Sequence, residues 1–157
     1  MFREITFGSE DYRQACELRD EVLWKPLGIN LFLADLKSEV DQMHFGWFDE
    51  EGNIMACVIA VRQSTSGVKI RQMACSEKHR GCGVGRQLLE RVEAAMLERG
   101  FDQIFMHARA TALGFYEKLG YAKVGDEFIE VGIPHFRMEK CLSAPQGENV
   151  LDASSAA

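Results

Sequence analysis

Hydrophobic positions recur along the chain with two periods, and each change of period marks the edge of a predicted element. Two segments carry apolar residues three and four positions apart, which is the spacing of an amphipathic helix. They are Ser9–Val22, which starts at a capping serine, and Val84–Arg99, which Gly100 follows as a typical helix terminator. A shorter helix is predicted over Thr111–Leu119, before Gly120.

Apolar-rich segments bounded by polar turns indicate strands between these helices. Strands are predicted at Met1–Phe7, His44–Phe48, Ile54–Val61, Val68–Cys75, Ile104–Ala108, Tyr121–Glu130 and His135–Cys141. The apolar segment Ile29–Leu36 fits either a short helix or a loop that covers a cleft. The order of elements, with a strand–helix–strand unit in residues 68–108, predicts a mixed α/β (α+β) sheet with helices on its faces.

Length and charge limit the class of protein. The 157 residues are 46% hydrophobic and 27% charged, as in globular proteins, and one domain is predicted over residues 1–142. The small, polar segment Ser143–Ala157 has no periodicity and is predicted to be a disordered tail. Because 18 Lys+Arg oppose 24 Asp+Glu, the net charge is −6. This balance argues against nucleic-acid and membrane partners and mildly favours a cationic substrate.

The cysteines and the N-terminal sequence bear on the cellular compartment. The five cysteines are odd in number and no two form Cys-x-x-Cys, so neither a disulfide framework nor a metal site is predicted. The chain does not start with a basic segment leading into an apolar one, as a secretory signal does. Its longest apolar stretch, Ile54–Val61, is far shorter than the ~20 residues of a membrane-spanning helix. A cytoplasmic location is therefore expected.

The junction before the long helix carries three alternating glycines, Gly81, Gly83 and Gly85. Glycine permits positive φ and a close approach of the backbone to a ligand, and the free N–H groups at a helix start attract anions. Arg80 and Arg86 flank the glycines. A phosphate or pyrophosphate ligand is therefore predicted, and the alternative is a turn that only connects strand to helix.

The junction lacks two sequence motifs that bind nucleotides, which argues against a nucleotide or dinucleotide as the phosphate ligand. A nucleotide P-loop requires Gly-Lys-Ser/Thr, whereas the sequence has Gly85-Arg86-Gln87. A dinucleotide fingerprint requires G-x-G-x-x-G, whereas the spacing is G-x-G-x-G. Lys78 and Arg71 are expected to extend the basic cluster around Arg80 and Arg86.

The same residues resemble a known family. Residues 80–85, Arg-Gly-Cys-Gly-Val-Gly, match the R/Q-x-x-G-x-G/A signature of the GNAT-type N-acetyltransferases. Residues 115–121, Phe-Tyr-Glu-Lys-Leu-Gly-Tyr, are similar to the family's second hallmark, a short helix carrying Tyr followed by Gly-aromatic. The resemblance covers about Val68–Lys140. The segments Val22–Gly28 and Gly132–His135 resemble the small ElaA-like bacterial branch.

This resemblance implies a fold, a cofactor and a set of binding residues. The fold is the GNAT-like acyl-CoA N-acyltransferase fold, a mostly antiparallel central sheet, flanked by helices, in which the parallel strands Val68–Cys75 and Gln103–Ala108 splay apart. The donor is acetyl-CoA and the product is CoA. His107 stands where the family often has Asn. The implied cofactor-binding residues are Met73, Ala74, Cys75, Arg80, Gly81, Cys82, Gly83, Val84, Gly85, Arg86, Gln87, His107 and Tyr116.

Amine acetylation also requires groups that move protons. An amine with a pKa near ~10.4 is almost fully protonated at neutral pH, so a base is needed. His135, Glu130 and Glu127 are the candidate bases, while His44 fits a structural role better. Their alternative roles are a half-buried strand histidine and solvated carboxylates or contacts to a cationic substrate.

The departing thiolate benefits from a nearby acid. The resemblance assigns that role to Tyr116, whose phenol has a donor O–H. The alternative is that Tyr116 is a core aromatic whose hydroxyl is satisfied.

The predicted function is acetyl transfer from acetyl-CoA to a primary amine by direct attack in a ternary complex. The acceptor is a small molecule or a peptide, and the resemblance points to a homodimer. The alternative is a non-catalytic acyl-CoA-binding or sensing module, in which the loop is kept but no base operates. The acceptor, the general base and the length of the acyl group are left open.

Overall fold

A seven-stranded sheet forms the centre of the computed structural model, which describes residues 1–143. The strands lie in the order β1-β2-β3-β4-β5-β7-β6, and every neighbouring pair is antiparallel except β4–β5. Their bounds are β1 Phe2–Ile5, β2 Met43–Phe48, β3 Ile54–Arg62, β4 Gly67–Cys75, β5 Gln103–Arg109, β6 Ala122–Glu130 and β7 Ile133–Cys141. The predicted disordered tail, apart from Ser143, lies outside the described residues.

Three α-helices accompany the sheet, at the places where the periodicity predicts them. They are α1 Glu10–Arg19, α2 Val84–Glu98 and α3 Leu113–Lys118. The Ser9 side chain accepts a hydrogen bond from the Tyr12 amide, as its predicted capping role requires. Gly100 follows α2 with a φ of +92°. None of the helices among residues 1–143 is long and apolar enough to cross a membrane.

The end of α1 differs from the prediction. The helix does not continue to Val22 in α-helical form, because a π-helical turn, Asp20–Trp24, follows it and a 3₁₀ turn begins at Lys25. The ambiguous segment 29–36 contains a single 3₁₀ turn, Leu31–Leu33, whose first amide donates to Asp20 Oδ1 at 2.8 Å. Leu31 is buried under α1, whereas Leu33 is 85% exposed.

Two apolar clusters cover the two faces of the sheet. On one face α2 buries Leu88, Leu89, Val92 and Met96 completely against the strands. Full burial of such a side chain contributes roughly 1.5–3 kcal/mol. On the other face α1 packs Tyr12, Ala15, Cys16 and Leu18 against β1, β2, β3 and β4. Strands β1–β4 are thus covered on both faces, as the mixed α/β prediction requires.

A buried ion pair joins α1 to the segment before β2. Arg19 binds Glu39 through two hydrogen bonds, Nη1–Oε1 at 2.9 Å and Nη2–Oε2 at 2.7 Å. The Tyr12 hydroxyl donates to Glu39 Oε1 at 2.7 Å, and the Glu39 carbonyl lies 2.8 Å from His44 Nε2. Burial opposes the charge of Glu39, but the bonds from Arg19 and Tyr12 hold the pKa of this carboxyl below its usual range. His44 therefore has the structural role that its sequence position favours.

The parallel strands β4 and β5 separate part-way along their length. They pair from Gly67 and Gln103 to Ile70 and Met106, and not beyond. A bulge against β3 interrupts β4 at Gln72, which has a φ of +56°. This opening between β4 and β5 confirms the predicted mostly antiparallel sheet with one splayed parallel pair.

The Gln72 bulge is held from the α1 side of the sheet. Gln72 Oε1 accepts from Trp24 Nε1 at 2.9 Å and from Arg19 Nε at 3.3 Å. The preceding residue, Arg71, also reaches to this side, where its Nη1 donates to Gln42 Oε1 at 3.1 Å. The bulge therefore places two consecutive polar side chains, Arg71 and Gln72, on the same face beside the opening.

Candidate active site

The Gly-rich loop needs its glycines for two different reasons. Gly81 and Gly83 have φ values of +83° and +77°, a left-handed conformation that costs other residues roughly 1–2 kcal/mol. Gly85 is in α2, but a Cβ there would lie 3.3 Å from Phe115 Cζ and 3.6 Å from Met73 Cε. Gly81 and Gly83 shape the backbone, and Gly85 lets α2 approach α3 and β4.

The helix start behind this loop has unpaired amides. The amides of Gly81, Gly83, Val84, Gly85 and Arg86 have no acceptor within residues 1–143. The first turn of α2 contains no acidic residue and no capping side chain. Such a set of N–H groups with an adjacent helix dipole is an anion site, which fits the phosphates of CoA.

Other amides among the residues implied to bind the cofactor donate within the loop itself. The Arg80 and Cys82 amides donate to the Glu77 and His79 carbonyls at 3.5 and 3.3 Å, and the Gln87 amide donates to the Gly83 carbonyl at 3.0 Å. At Arg80 and Gln87 the backbone amide is therefore occupied, and only the side chain can contact a ligand. Both side chains are exposed. Cys82 is an exposed free thiol.

The end of β4 presents backbone groups to the opening. The Ser76 amide donates to Met55 in β3 at 2.9 Å. Since backbone groups alternate between the two sides of a strand, those of Met73 and Cys75 face away from β3, toward the opening. Ala74 is different, because its backbone faces β3 opposite Cys57 and its methyl group is buried on the α1 face. The prediction that Ala74 contacts the cofactor is therefore not supported by its orientation.

Tyr116 in α3 has a buried ring and an unpartnered hydroxyl. The ring packs against Phe115 and Tyr121, and burial raises the pKa of Tyr116 to about 12. Tyr12 and Tyr121 each donate to a glutamate at 2.7 Å, but Tyr116 makes no such bond within residues 1–143. Among residues 1–143, His79 Nδ1 is the only fully buried side-chain polar atom that lacks a hydrogen-bond partner. The Tyr116 hydroxyl also lacks a partner, so it is not fully buried and solvent reaches it. The Tyr116 phenol is thus protonated, and its hydroxyl is free to donate a hydrogen bond to a ligand.

A carboxylate between two histidines lies on β5, β6 and β7. Glu130 Oε1 is 2.9 Å from His107 Nδ1, and Glu130 Oε2 is 3.8 Å from His135 Nε2. His135 Nδ1 is 2.8 Å from the Ile133 carbonyl, which can only accept, so that nitrogen carries the proton. The Phe128 ring stands edge-on to His107 and stacks on His135. In its neutral form, His135 therefore turns an unprotonated Nε2 toward Glu130.

The surroundings of Glu130 favour its ionised form. Burial works to raise the pKa of this carboxyl, but the hydrogen bond and charge of His107, with the charges of His135 and Lys69, hold the pKa below its usual range. A carboxylate that is already ionised and hydrogen-bonded is a poor proton acceptor. Glu130 is accordingly better suited to orient the histidines than to be the base. Glu127 is exposed and has no hydrogen bond or ion pair with this group among the described residues.

Strand register places this group beside the opening. His107 faces Arg137 across β5–β7, and Arg109 faces His135, so all four side chains share one face of the sheet. Arg109 Nη2 donates to the Leu23 carbonyl at 3.2 Å, which identifies this face as the α1 face. Across residues 1–143, no set of three His, Cys, Asp or Glu side chains is arranged to hold a metal ion, this group included.

Some site features differ from the sequence prediction. Arg71 was expected near the Gly-rich loop, but it contacts Gln42 and lies within the electrostatic reach of Glu39 and Glu130. The bulge at Gln72 and the inward-facing Arg109 were not predicted. The alternation of Ile104, Met106 and Ala108 with more polar residues could have placed His107 and Arg109 on one face. No comparable sequence signal marks the bulge.

The comparisons with known proteins agree with this geometry. Residues 31–142 match the family model described as "Acetyltransferase (GNAT) domain". An acetyltransferase of Bacillus subtilis is 28% identical over 141 residues, which are 88% of this chain and 94% of that protein. The solved structure of a Lactobacillus plantarum N-acetyltransferase superposes with a TM-score of 0.82 at 24% identity, over 91% of this chain and 98% of its own.

Two further solved structures share the fold. An aminoglycoside 6′-N-acetyltransferase complexed with coenzyme A has a TM-score of 0.73 at 16% identity, covering 93% of this chain and 99% of its own. Escherichia coli ElaA has a TM-score of 0.71 at 20% identity, covering 89% of this chain and 99% of its own. With the family model spanning most of the chain, the protein belongs to the GNAT family and is an acetyl-CoA-dependent N-acetyltransferase.

Proposed function

We propose that this enzyme acetylates the primary amine of a small-molecule or peptide acceptor, which attacks acetyl-CoA directly in a ternary complex. The observation that carries the proposal is the opening between β4 and β5 beyond Ile70 and Met106. One end of the opening leads to the free amides of the Gly-rich loop, and the α1 face beside it carries the His107–Glu130–His135 group.

The donor side of the site uses backbone groups. The amides of Gly81, Gly83, Val84 and Gly85 bind the pyrophosphate, with Arg80 and Arg86 beside it. The backbone groups of Met73 and Cys75 pair with the pantetheine arm in place of the missing strand partner. The Cys75 N–H is then available to stabilise the oxyanion that develops at the thioester carbonyl.

The acceptor side uses His135 as the base. Its Nε2 takes a proton from the acceptor ammonium, directly or through a water molecule, and Glu130 stabilises the resulting imidazolium. The Tyr116 hydroxyl donates its proton to the departing thiolate, and the second proton that the acylated nitrogen loses restores the phenol. Burial keeps this phenol protonated across the physiological pH range, as an acid in that role must be.

The test is a transfer assay that follows the release of the CoA thiol from acetyl-CoA. The acceptor panel contains polyamines, amino acids, aminosugars and peptides, and a parallel melting experiment measures stabilisation by acetyl-CoA and CoA. Acceptor-dependent thiol release with formation of an acetylated amine supports the proposal. Stabilisation by both CoA species without transfer to any amine would instead indicate the sensing module.

A homodimer is a separate part of the proposal, supported only by the resemblance to the family. Light scattering at micromolar concentration measures the mass directly. A monomer at every concentration tested would contradict it.

A further inference from the structure

Three cations on the two strands that border the opening lie on the α1 face of the sheet. Lys69 and Arg71 are on β4, and Arg109 is on β5. Lys69 is in register with Phe105, whose face on β5 is shared by His107 and Arg109. All three cations are half-buried.

These cations lack carboxylate partners among residues 1–143. The described bonds of Arg71 and Arg109 are one to the Gln42 side chain and one to the Leu23 carbonyl, and Lys69 has no ion pair. A guanidinium has five N–H donors, so most donors of both arginines remain available. Arg137 on the same face is different, since it pairs with Glu139 at 2.6 Å and stacks on Phe105.

The π-helical turn Asp20–Trp24 contacts both strands that border the opening. Arg109 binds the carbonyl of Leu23 in this turn. The next residue, Trp24, binds Gln72, the neighbour of Arg71. Arg71 on β4 and Arg109 on β5 therefore lie on the two strands that border the opening, and the turn contacts Arg109 and the neighbour of Arg71.

The available negative charge does not balance this site. Glu39 is already engaged by both outer nitrogens of Arg19, and Glu130 is engaged by His107. Burial, only partly offset by Glu39 and Glu130, lowers the pKa of Arg71 from its usual value. A partly buried cation without a paired anion is costly, and a ligand that brings the anion removes that cost.

We infer that the acceptor carries an anionic oxygen group, a carboxylate or a phosphate, which Arg71 and Arg109 bind while its amine faces His135. The inference rests on the proposed acetyl transfer and deepens it. It also reverses the expectation of a cationic acceptor, because net charge describes the whole surface and not the face beside the opening.

The test compares acceptors that differ only in charge. The carboxylate arm holds β-alanine and the common amino acids, and the neutral arm holds their carboxamides. The phosphate arm holds 2-aminoethyl phosphate, and the cationic arm holds 1,3-diaminopropane. The expected best acceptor comes from the carboxylate or phosphate arm, with kcat/KM at least tenfold above that of its uncharged counterpart.

Variants then locate the anion site. Arg71→Gln and Arg109→Gln are each expected to raise KM for the anionic acceptor about tenfold and to leave KM for acetyl-CoA unchanged. Arg137→Gln is the matched control on the same face and is expected to change neither, since Arg137 is paired with Glu139.

Three outcomes would overturn the inference in different ways. Acetylation of the neutral or cationic arm at equal or higher kcat/KM overturns the acceptor chemistry while acetyl transfer itself stands. Acetylation of no amine, although acetyl-CoA raises the melting temperature, overturns both this inference and the proposed transfer. Unchanged charge discrimination in both arginine variants would exclude Arg71 and Arg109 as its source.

Discussion

At the residue scale, the three tyrosines of the chain show how similar burial serves different roles. Tyr12 and Tyr121 are tied to Glu39 and Glu93, so their hydroxyls hold elements together. The Tyr116 hydroxyl has no partner within residues 1–143, which fits a group reserved for a substrate atom. A structural role and a catalytic role therefore predict different consequences for removal of each hydroxyl.

Tyr116→Phe is expected to lower kcat by roughly 10²-fold or more, the usual contribution of a general acid. The KM for acetyl-CoA and the melting temperature should change little, because no protein hydrogen bond is lost. Steady-state kinetics and thermal unfolding measure both. Tyr121→Phe is the control, expected to lower stability by about 1 kcal/mol and to keep kcat. An unchanged kcat in Tyr116→Phe would remove this residue from the mechanism.

Burial of the tyrosines also predicts a loss of stability at alkaline pH. The pKa of Tyr116 is raised from 10.0 to about 12, and those of Tyr12 and Tyr121 are raised as well. Above pH 10 the unfolded chain releases protons that the folded chain retains, so stability falls as pH rises toward the folded pKa. The slope is roughly 1.4 kcal/mol per pH unit for each tyrosine. Tyr116→Phe should flatten the decline seen by urea unfolding, and equal slopes would contradict this account.

At the element scale, short segments position the chemistry more than the long helices do. The Gly-rich loop sets the amides at the start of α2, the bulge in β4 sets Arg71 and Gln72, and the β6–β7 turn sets Glu130 close to His135. Each of these segments contains a residue with positive φ: Gly83, Gln72 and Val131, respectively. Substitutions at such positions separate backbone conformation from side-chain chemistry.

Gly83→Glu is expected to abolish the stabilisation by CoA, because it adds a carboxylate at the anion site and strains a φ of +77°. Gly83→Ala carries the strain without the charge and should cost roughly 1–2 kcal/mol while retaining part of the affinity. Melting curves with and without CoA measure both effects. Undiminished binding by Gly83→Glu would place the pyrophosphate elsewhere.

Val131→Asn is expected to stabilise the protein by about 1 kcal/mol. Val131 and Gly132 form the two-residue β6–β7 turn with φ values of +47° and +74°, which a β-branched residue adopts poorly and asparagine tolerates. Urea unfolding measures the gain. Val124→Asn on β6 is the control, since Val124 is similarly exposed but has no positive φ. A loss of stability in Val131→Asn equal to that of the control would contradict the strain.

At the scale of the whole molecule, the sequence predicts the proposed donor side as one connected motif. On the proposed acceptor side it indicates His135 and Glu130 as candidates, but not their arrangement with Arg71 and Arg109. The Gly-rich loop, α2 and α3 are close in the chain, so short sequence motifs such as residues 80–85 are enough to predict their arrangement. The proposed acceptor site combines Arg71, Arg109, Glu130 and His135, which four different strands supply. These residues are neighbours only because of the strand order in the sheet and the bulge at Gln72. Local periodicity of the sequence indicates neither the strand order nor the bulge.

Arg19→Met tests how far the buried ion pair supports the whole α1 side. Loss of one partner leaves Glu39 as a buried charge without its cation and is expected to cost about 3–5 kcal/mol. Chemical unfolding measures the loss, and the double variant with Glu39→Leu should recover part of it, because no lone charge remains. A double variant as unstable as Arg19→Met alone would show that the cost comes from lost packing.

The bond from Arg19 to Gln72 has a consequence for redesign of the enzyme. The segment in residues 20–41 contacts Arg109 and Gln72 beside the proposed acceptor site and contributes no residue to the Gly-rich loop, so it is a natural unit to exchange when a different amine is wanted. Arg19 links Glu39 in that unit to Gln72 in the strand beneath it. A graft of this segment should therefore also transfer Arg19 and Gln72, which lie outside it, because their hydrogen bonds connect Glu39 in the exchanged segment to the retained sheet.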